Sequence, residues 1–175
     1  MTDGAEVPAP RVTGQGFSGQ GFSGQGFSGQ GVVPGPLVEP YLADTSVWSK
    51  VRTQPALADW FNAEVRAGRI VTCGVVVLEL LRSARNTVSF RAQSEMLDVL
   101  DCCPNGARHV TRAREVQALL ADRGRHRGIP LADLLIAAAA EAGGVPVLHY
   151  DHGYDLIAEV SGQVVRWILP AGSLP

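Results

Sequence analysis

The stretch "PLADLLIAAAAEAGGVPVLHYDHGYDLIAEV", residues 130–160, decides the fold class of this chain. Its first half has a proline at its start, an apolar body rich in alanine and leucine, and a Gly-Gly pair at its end, which is typical of a helix. The apolar run "VPVLHY" that follows predicts a strand, and "DHGYDLIAEV" predicts a turn into a short helix. A helix, a strand and a second helix in this order indicate an α/β architecture.

The alternation of strands and helices continues on both sides of this stretch. Short apolar runs predict strands at "YLADT" (41–45), "RIVTC" (69–73) and "QVVRWIL" (163–169). Apolar residues at helical spacing predict helices at 55–68, 74–85, 87–100 and 111–124, with one more beginning near Val47. We therefore predict an α/β fold of three layers, in which a mostly parallel central sheet is flanked by helices.

Composition excludes several classes of protein. The chain has 175 residues, 46% of them hydrophobic, and a formal net charge of −2, so no overall basic field predicts nucleic-acid binding. The first residues lack the pattern of a signal peptide, and the longest apolar run falls short of the roughly 20 residues that a membrane span requires. We expect a cytoplasmic protein with no membrane association and with its cysteines reduced.

The N-terminal part differs from the rest in composition. Residues 14–31 repeat the unit GFSGQ, in which single aromatic residues are separated by glycine, serine and glutamine. Such a segment buries too little apolar area to offset the entropy of ordering it. We predict a flexible tail and linker over residues 1–39 and a folded domain over residues 40–175.

Four carboxylates occupy the positions where an α/β protein places its ligands. Asp44 and Asp151 each follow a predicted strand, and ligands bind beyond the carboxyl ends of parallel strands. Asp133 opens a helix, and Glu79 lies among valines and leucines that leave it little solvent. Capping or helix-dipole roles would explain the aspartates singly, and an ion pair with Arg82 would explain Glu79. Together, four acids repel one another unless a hard cation such as Mg²⁺ or Mn²⁺ neutralises them.

Four stretches that contain these acids resemble, in order and spacing, the motifs of PIN-domain ribonucleases, and most closely the VapC toxins of bacterial toxin–antitoxin pairs. They are "YLADTSVW", "VVVLELLRSAR", "HRGIPLADLLIAAAA" and "VLHYDHGYDLIA". The resemblance covers about residues 41–168 and implies a PIN-like fold.

The resemblance also implies roles for single residues. It makes Asp44 and Asp133 the central metal ligands, with Glu79 and Asp151 completing the site, some of them through water. Ser46 matches a small hydroxyl residue that supports a ligand or a water. The fourth motif often has a second Asp where this chain has Gly153, which leaves open whether one or two metal ions bind.

Basic residues precede the helix that carries Asp133. Six arginines lie between positions 108 and 128, and we predict that Arg123, Arg125 and Arg127 contact RNA phosphates. A solvated helix face and loop is the alternative. Histidines and tryptophans are expected in packing, hydrogen-bonding or partner-facing roles rather than as general acids or base-stacking surfaces: His126, His149, Trp48, Trp60 and Trp167.

The leading hypothesis is a metal-dependent endoribonuclease in which a carboxylate-held Mg²⁺ (or Mn²⁺) and an activated water hydrolyse RNA phosphodiester bonds. The resemblance further implies the toxin of a toxin–antitoxin system, with a VapB-like antitoxin as its partner and a homodimer as its assembly. The alternatives are a non-catalytic PIN-like module that binds RNA or protein, and a metal-dependent DNA nuclease or phosphatase.

Overall fold

The computed structural model describes residues 33–174, so the GFSGQ repeats lie outside the described residues. The strands are β1 (Tyr41–Ala43), β2 (Ile70–Cys73), β3 (Cys102–Cys103), β4 (Val147–His149) and β5 (Val165–Trp167). The helices are α1 (Thr45–Thr53), α2 (Pro55–Arg66), α3 (Gly74–Arg82), α4 (Thr87–Leu97), α5 (Ala107–Asp122), α6 (Leu131–Gly143) and α7 (Gly153–Ser161), with a 3-10 turn at His126–Gly128.

The five strands form one parallel sheet in the order β3-β2-β1-β4-β5. β1 lies at its centre, where Leu42 is in register with Val71 of β2 and Val147 of β4. Because all strands run the same way, their carboxyl ends meet at one edge, and the residues that follow β1 and β4 lie side by side. The predicted α/β fold with a parallel sheet between helices is confirmed.

Helix α6 closes the core against the sheet. Its residues from Ile136 to Ala140 are all at most 3% exposed, because alanine side chains allow the helix to approach its neighbours closely. The helix ends at Gly144, whose φ of +65° is the left-handed conformation that glycine adopts without strain. The Gly-Gly pair therefore marks the end of this helix, as the sequence predicts.

Sequence patterns missed one strand and misplaced several helix ends. β3 has only two residues, Cys102 is exposed, and so no apolar run indicates a strand there. α1 begins at Thr45 rather than near Val47, because the Asp44 side chain caps the helix. α4 ends at Leu97, before the predicted residue 100, and α5 begins at Ala107, before the predicted residue 111.

Part of the segment that we predict as linker packs against the domain. Leu37 is 3% exposed and belongs to the hydrophobic core, and the Trp60 indole N–H donates to the Gly35 carbonyl oxygen at 3.3 Å. Packing therefore begins before residue 40. Among the helices of residues 33–174, none has both the length and the hydropathy that a membrane crossing demands.

The contact between α6 and β3 gives a stability prediction. A Cβ atom at Gly143 would lie 2.8 Å from the Cys103 Sγ, so Gly143→Ala should lower the free energy of unfolding by about 1–3 kcal/mol. Gly128→Ala, where a Cβ would meet no atom within 4 Å, is the matched control. Urea unfolding measures both, and adding Cys103→Ala should restore part of the loss. An unchanged Gly143→Ala midpoint would contradict this packing.

Candidate active site

Asp44 is a buried carboxylate at the end of the central strand. It is 3% exposed, and each of its oxygens accepts one hydrogen bond. Oδ2 accepts from the Ser46 backbone N–H at 2.8 Å, and Oδ1 accepts from the Tyr154 hydroxyl at 2.8 Å. Asp44 is thus the N-cap of α1. No arginine of residues 33–174 pairs with its buried charge, and a capping role alone does not require such burial.

Ser46 links two elements of the site. Its backbone N–H binds Asp44, while its Oγ accepts the Tyr150 backbone N–H at 2.9 Å. The hydroxyl therefore fixes the start of α1 against the end of β4. The contact joins residues that are 104 positions apart in the chain.

Asp133 and Asp151 converge on the backbone at Gly153. The Gly153 N–H donates to Asp151 Oδ1 at 2.6 Å. A Cβ atom at Gly153 would lie 3.1 Å from that oxygen and 3.3 Å from Asp133 Oδ2. A side chain there would crowd both carboxylates, so the glycine that replaces the expected acid leaves a space bounded by two carboxylate oxygens.

Asp133 lies within electrostatic range of the three other acids. Burial is the largest cause that raises its pKa to about 7, followed by the negative charges of Asp44, Asp151 and Glu79. Each of the three contributes to the same repulsion. We call Asp44, Glu79, Asp133 and Asp151 the acidic cluster.

Tyr154 contacts the candidate site, and the sequence analysis gave it no role. It is fully buried in the first turn of α7, and burial together with the charges of Asp44 and Asp133 raises the pKa of its hydroxyl well above the usual value. The hydroxyl therefore stays protonated and donates to Asp44 at any physiological pH. An aromatic residue three places after Asp151 was the available signal, but the sequence did not show which acid it reaches.

Glu79 has more solvent than its apolar neighbours predict. It is half-buried, because α3 buries Val76 and Leu80 on one side and leaves Leu78 70% exposed on the other. Glu79 Oε2 accepts from the Thr45 hydroxyl at 3.1 Å, which ties α3 to α1. No ion pair joins Glu79 to Arg82 within the part of the chain that the structure describes.

The three arginines predicted to contact RNA are partly neutralised by an acidic side chain. Arg123 and Arg125 each place an Nη1 on a different oxygen of Glu159 in α7, at 3.0 and 2.9 Å. Arg127 is exposed and forms no ion pair among residues 33–174. Two of the three predicted RNA contacts are therefore engaged by one glutamate.

His149 has the structural role expected of it. It is fully buried at the end of β4, and its Nδ1 lies 2.8 Å from the Asp151 carbonyl oxygen. Burial lowers the pKa of the ring, so the histidine is neutral near pH 7. Its ring packs against Tyr154 at a centroid distance of 5.1 Å and helps to hold the turn that presents Asp151.

The donor chemistry of the acidic cluster fits Mg²⁺ or Mn²⁺, with one qualification from the geometry. Among residues 33–174, no three His, Cys, Asp or Glu side chains stand close enough together to hold a metal ion by themselves. Mg²⁺ does not require such a cage, because it keeps several waters and binds through one or two carboxylates and the phosphates of a substrate. Oxygens of Asp151 and Asp133 lie 3.1 and 3.3 Å from the position that a Cβ atom at Gly153 would take, so two carboxylates approach the same point.

Comparison with known proteins gives consistent matches. The family model of the PIN domain matches residues 41–160. Ribonuclease VapC18 of Mycobacterium tuberculosis is 41% identical over 136 residues, which cover 77% of this chain and 98% of that protein. Ribonuclease VapC51 of the same organism is 41% identical over 134 residues, which cover 77% and 96%.

Solved structures share the fold at low identity. A DNA-bound VapBC from Salmonella typhimurium matches with a TM-score of 0.58 and 14% identity, over 75% of this chain and 100% of that chain. VapBC-1 from nontypeable Haemophilus influenzae matches with a TM-score of 0.58 and 17% identity, over 73% and 97%.

The raised pKa of Asp133 predicts a pH-dependent stability. The unfolded chain releases this proton near pH 3.8 and the folded chain only near 7, so this group lowers the free energy of unfolding as pH rises from about 4 to 7. Asp133→Asn should therefore melt at a higher temperature than the wild type at pH 8, and the difference should shrink towards pH 4. Asp59→Asn, on an exposed part of α2, should show no such trend. A pH-independent difference would contradict the repulsion.

Proposed function

The chain belongs to the PIN domain family, and on that premise we propose that it is a metal-dependent endoribonuclease, the toxin of a toxin–antitoxin pair. The observation that carries the proposal is the acidic cluster, in which a buried Asp44 and a half-buried Asp133 repel each other and neither forms an ion pair with an arginine of residues 33–174. Relatives at 41% identity that are named ribonucleases support RNA as the substrate.

Asp44 and Asp133 would hold Mg²⁺, or Mn²⁺ in its place, with Glu79 and Asp151 supporting the site directly or through water. A divalent cation bound there supplies Lewis acidity towards a phosphoryl oxygen and lowers the pKa of a water so that it can attack phosphorus. Phosphate oxygens of the RNA would occupy the coordination positions of the cation that the four side chains leave unfilled.

The remaining residues of the site orient the carboxylates. Tyr154 and the Ser46 N–H each donate to a different Asp44 oxygen, so each oxygen keeps a lone pair that could bind a cation. The Gly153 N–H fixes Asp151 in the same way. These donors are buried or belong to the backbone, so they hold the carboxylates in place before substrate arrives.

Arg123, Arg125 and Arg127 are the proposed RNA contacts at the edge of the site. Arg127 is available to a phosphate at once, whereas Arg123 and Arg125 must exchange Glu159 for phosphate oxygens. Exposed ion pairs of this kind are worth about 0.2–1 kcal/mol each, so RNA can displace them at little cost.

A VapB-like antitoxin is the proposed protein partner, and the structural neighbours whose titles name VapBC support it. An arginine of such a partner could enter the acidic cluster and replace the charge of the cation. We also propose a homodimer in the cytoplasm. Coexpression with the product of an adjacent small reading frame, followed by light scattering, tests the partner and the assembly.

A non-catalytic binding module is the competing function. It is favoured by the absence, in residues 33–174, of three side chains already gathered around a cation position. It predicts that RNA binds but is never cut. A DNA nuclease differs from both because it would cut a DNA oligonucleotide of the same sequence.

Cleavage assays on purified protein decide among these functions. With Mg²⁺ or Mn²⁺, the wild type should cut structured RNA, and Asp44→Asn or Asp133→Asn should lower the rate at least about a hundredfold, because each removes a charge that the cation requires. Circular dichroism checks that the variants are folded, and Asp59→Asn is the control on α2. Full activity in both site variants would refute the site, and cleavage of DNA alone would refute the substrate.

Release of the paired arginines should strengthen RNA binding. Glu159→Gln removes the carboxylate shared by Arg123 and Arg125, and we expect affinity to rise by about twofold to fivefold, with a steeper dependence on salt. Glu141→Gln, which removes one of the two carboxylates paired with Arg112 near the other end of α6, is the matched control and should change little. Fluorescence anisotropy with labelled RNA measures the affinity of both variants. Weaker binding by Glu159→Gln would contradict the proposed RNA contacts of Arg123 and Arg125.

A further inference from the structure

Three aromatic rings stand together beside Asp151, and the proposed chemistry uses none of them. Tyr150 and His152 flank Asp151 in the chain, and Trp167 ends β5, the strand next to β4. The Trp167 ring lies 4.8 Å from the His152 ring and 5.4 Å from the Tyr150 ring, measured between centroids, and both pairs are edge-to-face. We call Tyr150, His152 and Trp167 the aromatic platform.

Polar contacts fix the platform in position. Asp155 in α7 accepts a hydrogen bond from the Trp167 indole N–H at 2.9 Å on one oxygen and lies 3.1 Å from His152 Nδ1 through the other. The Tyr150 hydroxyl accepts the Leu174 backbone N–H at 2.7 Å. Rings held in this way lose little conformational freedom when a ligand binds.

The platform is open to solvent and carries a positive charge at its edge. The His152 side chain is 78% exposed, and Tyr150 and Trp167 are half-buried, whereas Trp48 is only 8% exposed inside the core. The Lys50 ammonium lies over the Tyr150 ring, 5.0 Å from its centroid. Accessible aromatic rings interleaved with a cation are the arrangement with which proteins bind single-stranded nucleic acid.

We propose that the aromatic platform stacks a nucleobase of the RNA next to the phosphodiester bond held at the acidic cluster. This inference rests on the proposed function, because RNA must first lie with a phosphate near Asp151. A strand in that position passes within one nucleotide of the platform, since Tyr150 and His152 are the immediate neighbours of Asp151. Trp167, expected from sequence to be a core or partner-facing residue, is half-buried and forms part of the proposed surface.

The platform favours RNA over a protein segment for a reason of position. Tyr150 and His152 are the chain neighbours of Asp151, which belongs to the site proposed to hold the RNA phosphate. Stacking is sequence-tolerant, because every base has a π face. The platform therefore sets how the strand is placed and prefers an unpaired nucleotide at that position.

Binding assays with an uncleaved RNA test the platform. An RNA oligonucleotide carrying a single 5-iodouridine, kept in EDTA so that no divalent cation is present to support cleavage, crosslinks to nearby aromatic rings under ultraviolet light. His152→Ala should raise its Kd by about tenfold without reducing kcat at saturating cleavable RNA, because one stacked ring is lost. Phe90→Ala, which removes a 45% exposed ring from α4, is the matched control and should leave Kd unchanged.

Tryptophan fluorescence provides a second readout that a merely structural role would not change. The oligonucleotide should quench the wild-type emission, the quenching should persist in Trp60→Phe, and it should be lost in Trp167→Phe, which keeps a ring and the fold. Crosslinked peptides should contain residues 150–152 or 167.

Three results would overturn the platform proposal. They are an unchanged Kd in His152→Ala, quenching that persists in Trp167→Phe, and a His152→Ala protein that binds RNA normally but no longer binds the antitoxin. If one of these results is found and the wild type still cuts RNA, the nuclease proposal stands without the platform. If the oligonucleotide stacks on the platform but no RNA is cut, the nuclease proposal fails and the platform stands. If RNA neither binds nor is cut, both fail.

Discussion

The burial of Asp44 is the constraint on which the rest of this structure depends. A carboxylate at the end of the central strand, 3% exposed, must be compensated by hydrogen bonds or by opposite charge. The protein supplies the hydrogen bonds from Ser46 and Tyr154, and it places the charges of Asp133, Asp151 and Glu79 nearby. The carboxylates of the site therefore repel one another, and binding of a divalent cation would relieve this repulsion.

The fold serves this arrangement by bringing distant segments to one edge. Parallel strands β1 and β4 place Asp44 and Asp151 side by side, and the crossover through α6 brings Asp133 to the same edge. The Tyr154–Asp44 hydrogen bond joins residues 110 positions apart, so formation of this contact requires β1 and β4 to be paired. Loss of sheet order would separate the acids, which links stability to function.

Much of the fold could be predicted from sequence because its signals are local. The proline and Gly-Gly boundaries of α6 and the apolar runs of β1, β2 and β4 depend on neighbouring residues, and the positions of the four acids follow from those elements. β3 could not be predicted, since two cysteines, one of them exposed, give no period. Long-range contacts could not be predicted either, because they depend on the tertiary fold. Examples are the hydrogen bond from the Tyr154 hydroxyl to Asp44 and the ion pairs of Glu159 with Arg123 and Arg125.

Direct titration with Mn²⁺ tests the central claim, that the acidic cluster is a divalent cation site. Electron paramagnetic resonance detects the free aquo ion, so its signal should fall as wild-type protein is added without RNA. Asp44→Asn and Asp133→Asn should leave far more of that signal, while Asp59→Asn should behave like the wild type. Equal loss of signal in all four proteins would contradict the account, because the cation would then bind somewhere other than the acidic cluster.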